Sequence, residues 1–69
     1  MHLFTLHQAL KDLRVSKGIT QDELALAIGV ARTSITNMEQ GRQPISIQHT
    51  INILDHLGYT ADITLRKIR

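Results

Sequence analysis

The chain of 69 residues contains no cysteine, no long apolar run and no large excess of charge. Without cysteine, neither a disulfide framework nor a thiolate metal site can stabilise the fold. The apolar runs are only a few residues long, too short for a signal peptide or a membrane span, so we expect a cytoplasmic protein with no membrane contact. The net charge of +2 is too small by itself to identify a partner.

Catalytic and metal-binding motifs are also missing. The four histidines lie in no HExxH or paired-cysteine context. On one helix, His49 and His56 would be about 10 Å apart, which is too far for one metal ion. No glycine-rich phosphate loop or Ser/His/Asp arrangement is visible. We therefore predict that the protein is not an enzyme and uses no cofactor and no metal.

What the chain does contain is a series of apolar stripes at helical spacing, separated by capping residues and glycines. Capping boxes at Thr5 with Gln8 and at Thr20 with Glu23 predict the starts of two helices, and Ser46 is placed to cap the last. The inner stripes are Leu6, Ala9, Leu10 and Leu13 in the first helix, and Ile47, Thr50, Ile51, Leu54 and Leu57 in the last. The pattern predicts a mainly α fold in which four or five helices surround one core.

Residues 21–40 form the most informative segment. Leu24, Ala25 and Ile28 lie on one stripe of a short helix, and Ile35 and Met38 on one stripe of the next. The small Ala25 allows the helices to cross closely, and the glycine at position 29 suits the left-handed conformation that ends a helix. The segment therefore predicts a helix-turn-helix.

The second of these helices should present Arg32, Thr33, Thr36 and Asn37 away from the core. Asn matches adenine, Arg matches guanine, and Thr can bond a base edge or touch a thymine methyl. The alternative is an ordinary solvated face, but such a face normally carries Glu and Lys pairs, and this one has none. Glu39 is the only acid between residues 24 and 54. We therefore predict that this helix reads double-stranded DNA.

The pattern is similar to the lambda-repressor-like helix-turn-helix family, often called the Xre or Cro family, over about residues 10–57. The similarity is carried by Leu10, Arg14, GITQDELA from Gly18, IGV from Ile28, SI at Ser34, and MEQGR from Met38. It implies that Arg32, Thr33, Thr36 and Asn37 contact bases, and that Gln21, Gln40, Arg42 and Gln43 contact phosphates. It also implies a structural ion pair between Arg14 and Glu39. Ala31 departs from the family, which usually has a capping Ser or Thr there.

The C-terminal tail, residues 59–69, has a different period. Tyr59, Ala61, Ile63 and Leu65 alternate with polar residues, which predicts a β-strand. A lone strand is unstable, so we expect two copies to pair their tails in a homodimer through Ala61, Ile63 and Leu65. The alternative is a frayed terminus. We therefore expect residues 1–69 to form one DNA-binding domain, with a helical core at 1–58 and a dimerisation strand at 59–69.

The sequence ILDHLGYTADITL resembles the end of HipB-type antitoxins, which dimerise through a C-terminal strand and repress their own operons. The resemblance implies a nucleoid-associated homodimer on a palindromic operator, with a HipA-like kinase toxin as a further partner. A regulator that has no toxin, such as a phage repressor or a restriction-modification controller of the same fold, is the alternative.

Overall fold

The computed structural model describes residues 5–62 and 65–68. It contains four α-helices: α1 (Leu6–Ser16), α2 (Gln21–Ile28), α3 (Arg32–Glu39) and α4 (Ile47–His56). The two described ranges contain no β-strand. The mainly α prediction with a helix-turn-helix is confirmed, whereas the expected strand is not seen in the described part of the tail.

Two of the three predicted helix caps are present. The hydroxyl of Thr20 accepts a hydrogen bond from the Glu23 amide at 3.0 Å, and that of Ser46 accepts one from the His49 amide at 3.0 Å. The capping box predicted at Thr5 is wrong, because the Thr5 side chain accepts no cap hydrogen bond. Gln8 instead donates to the carboxylate of Asp12 one turn further along α1, at 2.9 Å.

The core lies where α3 crosses α2, with α1 packed on α3 and α4 packed on α2. Leu24 and Ala25 from α2 meet Ile35 and Met38 from α3, as the helix-turn-helix pattern predicted. Leu10, Ile53 and Leu57 complete the buried set. Burial of each large side chain contributes about 1.5 to 3 kcal/mol, so this cluster is the main source of stability.

The face that α4 turns to the core differs from the prediction. Ile53, left out of the predicted stripe, is buried together with Leu57, whereas Ile47 is 67% exposed and Ile51 is also exposed. Residues 51 and 53 lie on nearly opposite sides of a helix, so only one can face α2. The predicted inner position of Leu6 on α1 is also wrong, because that side chain is about half exposed.

The corner between α2 and α3 is built on Gly29. Its backbone is left-handed, with φ 76° and ψ 34°, a conformation in which a Cβ would be strained. The amide of Val30 donates back to the carbonyl of Ala25 at 3.0 Å, which closes the end of α2. Val30 then packs against the core, and α3 begins at Arg32 and crosses α2.

The tail begins in contact with the core and then leaves it. The Tyr59 amide donates to the carbonyl of Leu54 at 2.8 Å, and the Lys17 ammonium lies 5.3 Å from the centre of the Tyr59 ring. Further on, Leu65 is 91% exposed and Ile68 is 96% exposed. Accordingly, the radius of gyration is 12.7 Å, above the about 11 Å expected for a compact chain of this length. Ile63 lies outside the described residues.

No described helix is both long enough and apolar enough to cross a membrane.

Candidate nucleic-acid interface

Helix α3 is anchored on one side and open on the other. Ile35 and Met38 hold its inner side in the core. On the outer side, Arg32 and Thr33 are exposed, and Thr36 and Asn37 are half-buried. The four residues expected to contact bases therefore share the accessible side of one helix, whose opposite side is packed in the core.

Beneath this surface lies the ion pair that the family resemblance implied. Arg14 on α1 donates from Nε to Oε2 of Glu39 at 2.6 Å, and from Nη2 to Oε1 at 3.0 Å. Its remaining terminal nitrogen donates to the carbonyl of Ile19 at 2.7 Å. Both charged residues are buried, at 8% and 7% exposure. Glu39 therefore balances Arg14 inside the protein and presents no free carboxylate to DNA.

Two more side chains extend the ion pair toward the surface. The Nε2 of Gln21, the first residue of α2, donates to Oε1 of Glu39 at 3.0 Å. The Thr36 hydroxyl in turn donates to Oε1 of Gln21 at 2.8 Å. We call Arg14, Glu39, Gln21 and Thr36 the polar network. It connects α1, α2 and α3, so Gln21, expected on a phosphate, and Thr36, expected on a base, are held by one set of hydrogen bonds.

The other residues expected on phosphates follow the end of α3. Gln40 and Arg42 are exposed and Gln43 is half-buried. The Arg42 and Gln43 amides both donate to the carbonyl of Asn37, at 2.9 and 3.3 Å, which folds the loop against the helix end. The turn requires Gly41, which is left-handed at φ 74° and has the His7 ring 3.0 Å from where a Cβ would stand.

The charge of this surface is cationic. Between residues 24 and 54, Arg32 and Arg42 are exposed, and the only acid is the buried, paired Glu39. Asp22 lies on the edge of the surface, 4.0 Å from Nε of Arg32. Because both of these side chains are well exposed, the pair is weak, and Arg32 can exchange Asp22 for another anion.

The contacts of Asp22 with Arg32 and of Gln21 with Thr36 were missed from sequence alone. Each joins α2 to α3, so it depends on how the helices cross and not on spacing along the chain. A weak signal was present, since the two acceptors lie at the start of α2 and the two partners lie four residues apart on α3.

Residues 10–63 match the family model described as Helix-turn-helix, and the chain belongs to this family. The family and the fold together define a class of DNA-binding transcription regulators. Among curated proteins, no sequence matches the chain.

Among solved structures, several are similar to the chain. One structure of the clp gene regulator ClgR from Corynebacterium glutamicum is similar with a TM-score of 0.77 and 33% identity, over 80% of this chain and 58% of that chain. The chain thus spans less than two thirds of that ClgR chain. A second ClgR structure has a TM-score of 0.75 and 33% identity, over 80% of this chain and 70% of that chain. A chain of the HipA–HipB–O2–O3 complex has a TM-score of 0.70 and 28% identity, over 100% and 99% of the two chains.

Proposed function

We propose that this regulator is a homodimeric repressor that binds a palindromic operator, and that it is the autorepressing antitoxin of a HipA/HipB-like toxin-antitoxin module. The main support is the extent of the similarity to HipB. It spans all of this chain and 99% of the other, so it includes the tail, whereas the ClgR similarity covers 80% of this chain. The further partner would then be a HipA-like kinase.

In this proposal, α3 enters the major groove, which is wide enough for a helix. Arg32, Thr33, Thr36 and Asn37 read base edges, because they share the open side of α3. The residues that hold the phosphates on either side are Gln21 at the start of α2, and Gln40, Arg42 and Gln43 at the end of α3. Gln21 can do so while it stays in the polar network, since its amide nitrogen has a second N–H.

The proposal assigns the tail, residues 59–69, to dimerisation and residues 1–58 to the helical core. Among the described residues on the apolar side of the tail, Ala61 is half-buried, whereas Leu65 is 91% exposed and so has no cover there. A second copy of the tail, paired as an antiparallel strand, would cover Leu65 together with Ile63. The two-fold axis of such a ribbon would set one α3 in each half-site, about 34 Å apart.

A second candidate is a gene regulator without a toxin partner, which includes a phage repressor or a restriction-modification controller. The ClgR structures favour it, because they have the higher TM-scores and identities and their protein is named as a gene regulator. The two candidates share the DNA interface and differ in whether a second protein binds.

The DNA part of the proposal can be tested with a duplex taken from upstream of the protein's own gene and a scrambled duplex as control. Fluorescence anisotropy should give preferential binding to the natural duplex. If a dimer neutralises about four phosphates, the log-log slope of the binding constant against salt is near −3 to −4. A slope near zero would mean that the polar side of α3 faces a protein.

The antitoxin part needs a separate test. The protein should be co-expressed with the products of the adjacent reading frames and purified under mild conditions. Recovery of a stoichiometric complex with a kinase-like protein would support the antitoxin role. If DNA binding is specific and no adjacent product binds, the regulator without a toxin is favoured.

A further inference from the structure

The polar network has a direction, because its buried end allows only one arrangement of donors. The Arg14 guanidinium can only donate hydrogen bonds, and the Glu39 carboxylate paired with it can only accept. Gln21 must therefore turn its amide nitrogen to Glu39, at 3.0 Å from Oε1. The opposite orientation would place the amide oxygen of Gln21 against a carboxylate oxygen. The orientation of the Gln21 amide is thus fixed by the ion pair.

The fixed amide decides where the proton of the Thr36 hydroxyl points. The group that Gln21 presents to Thr36 is its oxygen, at 2.8 Å, so Thr36 must donate. The only other acceptor of this proton within the described hydrogen bonds is the carbonyl of Arg32, one turn back on α3 at 3.2 Å. Both acceptors belong to the protein. The single proton of Thr36 is therefore directed inward, and the outward side of its oxygen carries lone pairs.

From this we infer that Thr36 acts on DNA only as a hydrogen-bond acceptor, and that it selects a base whose major-groove edge carries an amino group, the N6 of adenine or the N4 of cytosine. This rests on the proposed DNA-binding function and deepens it. An acceptor cannot bond the O6 or N7 of guanine, the O4 of thymine or a phosphate oxygen. For this contact, Arg14, Glu39 and Gln21 are positioning residues, because they fix the direction of the Thr36 hydroxyl and do not themselves bond the base.

The test begins with selection from a randomised duplex library by the full chain and by Thr36→Val and Thr36→Ser. Valine keeps a methyl group and the shape of the side chain but has no hydroxyl, whereas serine keeps the hydroxyl. We expect the unsubstituted chain and Thr36→Ser to select adenine or cytosine at one position of each half-site. Thr36→Val should lose that preference while it keeps the others.

The decisive measurement removes the amino group from the DNA. In the selected duplex, the chosen adenine is replaced by purine, or the cytosine by 2-pyrimidinone, each without its amino group. For the unsubstituted chain we expect a loss of about 2- to 10-fold in affinity, the range for one neutral hydrogen bond. For Thr36→Val the same replacement should cost nothing further, so the two changes are coupled.

A third variant tests the direction of the network. Gln21→Leu removes the amide oxygen that receives the Thr36 proton, so that proton can turn outward, and the Arg14–Glu39 pair is left in place. We expect this variant to accept guanine at the same position. Thermal unfolding would establish that it is folded, and if it is not, the duplex replacement decides alone.

Three results would count against the inference. Selection of guanine by the unsubstituted chain at the position that Thr36→Val alters would overturn it. Independent, additive losses from Thr36→Val and from removal of the amino group would also overturn it, with DNA binding itself unaffected. If the unsubstituted chain enriches no sequence at all, the proposed function fails and the inference falls with it.

Discussion

The helical core and the tail use the same kinds of apolar residue with opposite results. Leu24, Ile35 and Met38 in the core are almost fully buried, whereas Leu65 and Ile68 in the tail are almost fully exposed. The difference is one of available partners and not of hydrophobicity, because crossed helices provide opposing surfaces and a single extended segment does not. The core is therefore complete within one chain, whereas Leu65 and Ile68 have no covering surface among the described residues.

Polar contacts lie in the core and at the start of the tail. In the core, the polar network satisfies two buried charges, and no buried side-chain donor or acceptor in the described residues lacks a partner. The start of the tail is held by the Tyr59 amide and the Lys17 ammonium. The core should therefore control folding, and the tail should control assembly.

The largest effect is expected from removal of the tail. Deletion from Thr60 onward should convert a dimer into a folded monomer and lower DNA affinity by about 10²- to 10⁴-fold, because two half-sites are no longer bound by one body. Sedimentation and anisotropy would measure this. Replacement of Arg66 and Lys67 by alanine in the full chain controls for lost charge. If the full chain and the deletion have the same oligomeric state, the tail does not hold the dimer.

Removal of the buried carboxylate should be almost as severe, and it should affect folding instead. Glu39→Ala leaves the Arg14 guanidinium buried with only the Ile19 carbonyl as acceptor. The free energy of unfolding should fall by about 3 to 5 kcal/mol, measured by urea denaturation. The matched control is the exposed Asp12, where alanine should cost less than about 0.5 kcal/mol. Equal losses at the two positions would contradict the structural role of the ion pair.

A smaller effect is expected on the open side of α3. Asn37→Ala should lower affinity for the preferred duplex by about 1 to 3 kcal/mol and relax the preference at one position of each half-site, with little change in folding. Arg42→Ala should weaken binding to all duplexes alike and reduce the salt slope by about 1. Affinity measurements across a set of operator variants separate these two patterns. An unchanged ranking and magnitude for Asn37→Ala would remove Asn37 from the interface.

The smallest effect compares two threonines at helix starts. Thr20→Ala removes a cap that accepts a hydrogen bond at 3.0 Å and should cost about 1 kcal/mol. Thr5→Ala removes a hydroxyl that accepts no cap bond and should change stability by less than about 0.5 kcal/mol. Thermal melts of both variants give the comparison, and equal losses would mean that the Thr5 hydroxyl caps α1 in solution.

Much of the helix-turn-helix could be predicted from the sequence because its signals are local. Ala25 and Gly29 each satisfy a requirement of the short segment around them, and so do the caps at Thr20 and Ser46. The orientation of α4 could not be predicted in the same way. Ile51 and Ile53 offer two opposite apolar sides, and only the position of α2 decides that Ile53 is buried.

The site divides along the same line. The residue types on the open side of α3 could be predicted from its period, since burial of Ile35 places Arg32, Thr33, Thr36 and Asn37 elsewhere on the helix. The hydrogen bond between Thr36 and Gln21 could not, because residues fifteen positions apart meet only after the helices cross. The pairing of the tail depends on a second molecule and stays a prediction.

Ala31 has a consequence for the engineering of this protein. Its backbone has the extended conformation of an N-cap, but alanine has no side-chain oxygen to accept a hydrogen bond from the first turn of α3, and the Ser34 amide donates instead to the Ala31 carbonyl at 3.0 Å. A serine there would add about 0.5 to 2 kcal/mol, and in a domain of this size each kcal/mol raises Tm by about 4 to 8 °C. The start of α3 is therefore less stable than it could be, although α3 is the helix with the accessible polar side. Only the Arg32 and Thr33 amides of this turn have no acceptor among the described hydrogen bonds, so a serine that takes the Thr33 amide would raise Tm and at the same time remove a donor from the accessible end of α3.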